Sequence, residues 1–295
     1  MKFKLKPGRL IFLIIDVVIL LFIAFVCVAP IIHIIMGSIS SPEKLNVNTR
    51  LIFWPLGKTD FTAYRIILKY KKLWMAYRNT LLYIIFTCAL TAVLTSMAGY
   101  VFSRKRMFMR NFFMLLISFT MLFNGGMIPT FIIIRKLHMI DTPYALIIPG
   151  ALSVFNIIIM RTSMQNIPQE LEEAARIDGA SDMKVLFHVI LPLCKATFAV
   201  IMLFTAVAKW NDYFSALLYI QNRKELFPLQ MVLREILITT TSDITNSQSL
   251  QNSSTIYKKA IEYACIVVST LPILCIYPFV QKYFVVGMTL GAVKS

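Results

Sequence analysis

The chain of 295 residues is 58% hydrophobic and only 15% charged, with mean hydropathy +0.73 and a formal net charge of +16. Soluble domains carry about a quarter charged residues and leave much of their surface to water, so this composition excludes an ordinary soluble globular fold. The positive charge does not imply nucleic acid, because the basic residues sit mainly at the ends of apolar runs and in loops, where membrane proteins place them.

A basic tail over residues 1–9 carries Lys2, Lys4, Lys6 and Arg9, and the first apolar run, 10–36, follows with Asp16 as its one acid. That run is far longer than the roughly 7–15 apolar residues of a signal peptide, so it reads as a retained first span. Further apolar blocks lie at about 80–103, 108–134, 143–160, 189–220 and 260–281. A helix crosses the hydrocarbon core with about 20 apolar residues, and only helices satisfy their own backbone within one segment in lipid. The expectation is an all-α membrane protein of six transmembrane helices. Residues 37–78 form an outer loop, 79–285 a five-helix core that includes a loop at 166–189, and 286–295 a cytosolic tail.

Within the outer loop, "DFTAYRIILKYKKLWMAY" (60–77) spaces Phe61, Tyr64, Leu68 and Met75 near helical periodicity with lysines between, which predicts an amphipathic helix at the outer interface. A second outer loop, 221–259, contains the polar stretch 239–255. Lys and Arg divide almost evenly between the two sides, but long loops weigh little in orientation. The dense short clusters, the N-terminal tail and "SRKRMFMRN" (103–111), share a side and place both termini in the cytosol.

Several chemistries lack their residues. "IFWPLGKT" (52–59) ends like a phosphate-binding loop, yet Ile52 stands where the first Gly is required, and Phe53, Trp54 and Pro55 would crowd the cradling amides. His33, His138 and His188 are scattered, no metal spacing occurs, and no nucleophile elbow is present. The five cysteines (Cys27, Cys88, Cys194, Cys265, Cys275) read as buried thiols. Among ionisable residues in the spans only Asp16, Lys209 and Asp212 stand out, which gives proton-coupled transport little support.

One stretch breaks the pattern. "NIPQELEEAARIDGASDMKVLFHVILPLCKA" (166–196) holds Glu170, Glu172, Glu173, Asp178 and Asp182 against Arg176 and Lys184 over 166–188. Pro168 suits the first position of a helix running to about Asp178, Gly179 breaks it, and Ser181 is placed to cap a second short helix through Phe187. An acidic element is ill suited to a negatively charged leaflet. Leu171, Ala174 and Ala175 share a face that another protein can approach closely. Glu172 and Glu173 both compete for Arg176, which leaves at least one carboxylate without a local partner. A docking helix for a protein partner is the expectation, with an exposed loop helix bearing ordinary surface charges as the alternative.

The segment resembles the EAA loop of ABC-importer membrane subunits, through Glu173, Ala174, Ala175, Gly179, Ile190, Leu191 and Pro192 at that pattern's spacing. "YRNTLLYIIFTCALTAVLTSMAGYVFSR" (77–104), "IPTFIIIRKLHMIDTPYALIIP" (128–149) and "QKYFVVGMTLGAVKS" (281–295) extend the resemblance to the carbohydrate branch. Within it the chain is similar to the maltose-type second permease, and to the subset serving complex oligosaccharides in Gram-positive bacteria. The resemblance implies a type I importer fold and a non-enzymatic, multi-pass subunit of the bacterial cell membrane.

By the same resemblance Glu172, Glu173, Ala174, Ala175, Asp178, Gly179, Leu191 and Pro192 couple the chain to an ATPase, and Gly291 and Lys294 of the tail contact it. The implied partners are a second homologous permease, an ATP-binding subunit dimer that uses ATP and Mg, an extracytoplasmic substrate-binding lipoprotein, and an oligosaccharide. Polar and aromatic residues in or near the spans, Asn124, Asn156, Trp210, Asn211, Asp212 and Tyr213, are candidates for the sugar path; interhelical hydrogen bonding is their competing role. Ala196 stands where the family often has a second proline, which predicts a straighter start to the fifth span. The rival functional class is a self-contained secondary transporter or channel for a small polar solute.

Overall fold

The computed structural model describes residues 7–123, 125–238 and 254–292. All regular structure in these residues is helical, and among them there is no β-strand. In chain order the helices are α1 (Pro7–Ser38), α2 (Pro42–Val47), α3 (Thr62–Lys69), α4 (Lys71–Ser103), α5 (Arg110–Leu122), α6 (Met127–Lys136), α7 (Tyr144–Ile147) and α8 (Val154–Gln165). They continue with α9 (Gln169–Ile177), α10 (Asp182–Leu193), α11 (Lys195–Trp210), α12 (Phe214–Tyr219), α13 (Leu229–Ile238) and α14 (Ser254–Ala292). A 33-residue helix such as α4 is about 50 Å long, more than enough for a hydrocarbon core of about 30 Å.

Among the described residues, three helices are long and apolar enough to cross a membrane alone: α1, α4 and the Ile256–Ile276 part of α14. Two bent pairs, α5 with α6 and α10 with α11, raise the number to five if each pair makes one crossing. The block at 143–160, expected to be a continuous fourth span, is instead α7 and α8 separated by an irregular stretch at 148–153. Pro149 and Gly150 lie there; proline lacks the amide a helix needs and glycine favours no helix.

The chain forms two compact units, residues 1–71 with 235–272 and residues 72–234 with 273–295. In the first, α1 presents nearly every large apolar side chain from Leu10 to Val28 outward, as a helix in lipid requires. His33 on α1 organises the following loop. Its Nδ1 accepts the Ile52 amide at 3.0 Å, so the proton sits on Nε2, which donates to the Tyr263 hydroxyl at 3.0 Å. The 52–59 fragment is therefore a tethered loop, with the Leu56 amide donating to Ser40 Oγ at 2.9 Å. The helix expected across 60–77 is divided: α3 ends before Tyr70, and 71–77 opens α4. α3 buries Ala63 and Ile67 and leaves Phe61 and Leu68 exposed. Asp60 Oδ1 accepts the Thr62 amide at its start, and Oδ2 accepts the Tyr257 hydroxyl. Burial works against the Asp60 charge, but these hydrogen bonds hold its carboxyl below the usual value.

The second unit is built on α4. Tyr83, Thr87, Thr91, Thr95, Gly99 and Ser103 recur every fourth residue and are buried along one face. Small residues at this spacing let helix backbones approach closely, which substitutes for the hydrophobic drive that lipid does not provide. A Cβ at Gly99 would lie 2.7 Å from Met160 Cγ on α8, so the crossing requires glycine. Higher on α4, Asn79 donates to the carbonyls of Glu225 (2.6 Å) and Phe227 (3.2 Å), Tyr83 donates to that of Leu226 (2.8 Å), and Thr80 Oγ1 accepts the Leu229 amide (2.8 Å).

The expected straight start to the fifth span is not found. α10 begins as an α turn, widens to a π-helical stretch over Val185–Ile190, and closes with Leu191–Leu193 before an 87° bend at Cys194 into α11. Pro192 has no amide to give the preceding turn and its ring crowds the carbonyl four residues back, so one proline suffices to disturb the ladder. Ala196 leaves the bend in place. Of the thiols expected to be buried, Cys194 and Cys265 are, whereas Cys27 and Cys275 are exposed.

Candidate functional site: an acidic loop and a polar cavity

The acidic loop folds as two short helices, and its first helix has two different sides. Pro168 is the residue before α9 rather than its first helical residue. Ile177 ends the helix and Gly179 takes φ +80°. The Gly179 amide donates to the Arg176 carbonyl and that of Ala180 to Ala175, both at 3.0 Å, a Schellman closure that needs the left-handed conformation. Ser181 precedes α10 in an extended conformation but makes no side-chain cap, and the helix continues beyond Phe187 to Leu193.

Glu172 faces inward and is only 7% exposed. It forms an ion pair with Arg104 just beyond α4, accepts a hydrogen bond from Arg176 at 2.8 Å, and accepts the Tyr100 hydroxyl at 3.0 Å. Arg176 also pairs with Asp182 at 2.7 Å across the Gly179 turn. The Tyr100 hydroxyl, followed by Glu172 and Asp182, raises the Arg176 guanidinium above its usual range. The Arg104 guanidinium lies 4.7 Å from the centre of the Tyr100 ring. One carboxylate thus ties α9, the end of α4 and the start of α10 together.

Glu172 wins the competition for Arg176. Glu173 points outward, exposed, with no ion pair among the described residues. The two alanines separate in the same way. Ala174 is exposed, while Ala175 packs with Ala180 against a core of Tyr100, Met160, Met164, Val185, Leu186 and Ile190. The face expected to unite Leu171, Ala174 and Ala175 is therefore divided, because Ala175 is half-buried in its own chain. Glu170, Glu173, Ala174 and Ile177 form the outer ridge, and Ile177 is 86% exposed. Asp178 is exposed at the helix end; Leu191 rests on the core and Pro192 is exposed.

Sequence reasoning missed Arg104, Tyr100 and Ile177. The first two were visible in "Y-x-x-S-R" (100–104), but nothing in a linear sequence pairs that motif with Glu172 seventy residues later.

A cavity of about 670 Å³ opens in the same unit beside the broken stretch 148–153. Its wall includes Gly150, Ser153, Phe155, Asn156, Phe204 and Thr205. Lys209, Asp212, Ser215 and Tyr219 complete its polar side. Thr91 on α4 donates to the Ala151 carbonyl at 2.6 Å, so part of the broken backbone is satisfied from a neighbouring helix. Non-helical backbone is tolerated at membrane depth only where it is buried in protein or lines a cavity.

Of the six path candidates, Asn156 and Asp212 line this cavity. Trp210 is buried and sets its ring edgewise to Tyr77 at 6.3 Å. Asn211 is exposed and donates to the Val207 carbonyl, and Tyr213 is exposed with the Arg234 guanidinium 5.7 Å from its ring centre. Asn124 lies outside the described residues, as does Lys294; Gly291 falls in the last turn of α14. Among the described residues no group of His, Cys, Asp or Glu could hold a metal ion.

The profile of binding-protein-dependent transport system inner membrane components matches residues 91–290, which includes both the loop and the cavity. The chain belongs to that family. A polygalacturonan/rhamnogalacturonan transport system permease of Bacillus subtilis (strain 168) is 40% identical to this permease over 281 residues, 94% of this chain and 96% of that one. Protein LplC of the same organism is 37% identical over 290 residues, covering 98% and 97% of the two chains. Among solved structures, a bacterial ABC transporter involved in the import of the acidic polysaccharide alginate matches with a TM-score of 0.87 at 34% identity, over 95% of this chain and 99% of that one. This permease has the all-helical fold of type I ABC-importer membrane subunits and is a multi-pass membrane protein.

Proposed function

We propose that this permease imports an oligosaccharide by coupling its membrane helices to ATP hydrolysis in a partner subunit. The observation that carries the reading is the division of α9. Its inner face is locked to the body by Glu172, and its outer ridge offers Glu173, Ala174 and Ile177 to another protein. A helix fixed on one side and free on the other transmits force, provided that the partner grips it differently in two states. Glu173 makes the charged contact, Ala174 and Ile177 fit the partner's groove, and Gly179 sets the turn.

The chain itself binds no nucleotide and catalyses no reaction; a dimer of ATP-binding subunits uses ATP and Mg. A second homologous permease completes the membrane passage, and an extracytoplasmic binding lipoprotein delivers the sugar. Both termini and the acidic loop face the cytosol, and the tail including Gly291 and Lys294 also reaches the ATPase. The relatives that carry saccharide names support a carbohydrate substrate, as does a cavity lined by an amide, hydroxyls and aromatic rings. Glu173→Lys tests the docking role: the variant inserts into the membrane and fails to copurify with the ATPase. Copurification and uptake at wild-type levels would remove Glu173 from the interface.

A further inference from the structure

We infer that Lys209 is the carboxylate-reading group of a uronate subsite in the cavity, held in reserve by Asp212. The inference rests on the import reading above and specifies its substrate as an oligosaccharide bearing uronic acids. Lys209 is the one basic residue among the described residues that line the cavity, and its side chain is 10% exposed. Its Nζ donates to Asp212 Oδ2 at 2.7 Å. A Cβ at position 150 would come within 3.3 Å of Lys209 Cε and 3.4 Å of Nζ, so Gly150 leaves the space that the ammonium occupies at the wall.

The pair is asymmetric. Asp212 Oδ1 also accepts the Ser215 amide at 3.1 Å, which anchors the carboxylate at the start of α12. Lys209 has a four-carbon stem and three donor protons, and Asp212 is its one hydrogen-bond and ion-pair partner among the described residues. When a sugar carboxylate enters, Lys209 turns toward it or shares its protons, while Asp212 keeps its backbone bond. The hydroxyls of Ser153, Thr205 and Ser215 and the Asn156 amide meet sugar hydroxyls, and the Phe155, Phe204 and Tyr219 rings offer faces. The competing Asp212 has a further consequence. A transport path must bind its cargo well enough to admit it and weakly enough to release it, and an internal carboxylate that reclaims Lys209 meets both demands. The acidic polysaccharide of the solved relative, and the galacturonate chains of the polygalacturonan transporter, carry the group that this site would read.

The test uses the complete importer with its binding protein and ATPase in proteoliposomes, and compares uptake of trigalacturonate with that of its uncharged methyl ester. Lys209→Met combined with Asp212→Asn removes both charges together, so that neither is left buried and alone. This variant should lose about 10- to 100-fold in kcat/KM for trigalacturonate, the worth of a charge-assisted hydrogen bond, with ester uptake within about twofold of wild type. Lys209→Arg, which keeps the charge, should retain preference for the acid. Equal loss of acid and ester uptake, no loss of either, or an arginine variant as impaired as the neutral one would overturn the subsite. Wild-type uptake of the ester or of a neutral arabino-oligosaccharide without trigalacturonate would also overturn it and leave carbohydrate import standing. Uptake of none of these would overturn both readings.

Discussion

Two adjacent glutamates in α9 have opposite fates, and their burial decides which does what. Glu172 balances Arg104 in a site where both side chains are largely hidden, and Arg104 Nε and Nη2 have no hydrogen-bond partner there among the described residues. Removing the carboxylate would strand a buried guanidinium, and breaking such a pair costs about 3–5 kcal/mol. Glu172→Gln should therefore lower the thermal stability of the purified complex and loosen ATPase from transport, read as more ATP hydrolysed per sugar carried. An unchanged melting temperature and unchanged coupling ratio would deny Glu172 its role as the inner tether. Gly179 acts differently. No atom lies within 4 Å of where its Cβ would be, so the obstacle to Gly179→Val is backbone conformation rather than space. Holding valine at φ +80° costs about 1–3 kcal/mol. The variant should insert normally and show reduced ATP-driven uptake; normal uptake would mean that the turn tolerates rearrangement.

Among elements, the crossing of α4 with α8 and the clasp between the loops at 141 and 222 bear most on how the second unit is held. A methyl at Gly99 meets Met160, and forced overpacking of this kind costs about 1–3 kcal/mol. Gly99→Ala should lower the melting temperature and, because Tyr100 is next to it, weaken coupling as well; a fully stable Gly99→Ala protein would show that the helices can part at no cost. At the clasp, Asp141 has φ +57° and its Oδ1 accepts the amides of Gln221 (2.7 Å) and Asn222 (2.9 Å), while Oδ2 accepts the Asn222 side-chain amide (2.8 Å). The Asn222 amide first, with the Asn222 side chain and the Gln221 and Arg223 amides, holds the carboxyl below its ordinary value of 3.8. A folded-state pKa below the unfolded one means that the contribution is complete above about pH 4 and is lost as pH falls through the folded value. Amide exchange at Gln221 and Asn222 should thus stay slow from neutral pH down to about 4 relative to Asp141→Ala, and the difference should vanish at still lower pH. A difference that persists undiminished in acid would assign the clasp to something other than this carboxylate.

For the molecule as a whole, the class of fold was legible because lipid imposes blunt rules: apolar blocks at 10–36 and 80–103 leave little choice but long helices. The breaks were harder to read. A block such as 143–160 is apolar enough to span, and only the backbone shows that Pro149 and Gly150 interrupt it to open a cavity. The bend at Cys194 was likewise hidden, since the effect of Pro192 depends on how α10 packs. At the acidic loop, the helix, its end at Gly179 and the surplus carboxylate all follow from local sequence. Which glutamate turns inward does not, because Arg104 and Tyr100 come from a distant segment. The sugar path was least legible: Trp210, Asn211 and Tyr213 look as suitable as Asp212 until α11 is bent and α12 placed.

On the proposed function, this permease moves its cargo with the work of a partner's ATP hydrolysis, received through α9. The most direct measurement is oligosaccharide uptake by the reconstituted complex in vesicles supplied with ATP and Mg on the ATPase side, with every ion gradient collapsed. Uptake should proceed under these conditions and cease when the ATPase is omitted or when Glu173→Lys detaches it. Uptake that continues without the ATPase, or that requires an ion gradient, would show the chain to be a self-contained transporter.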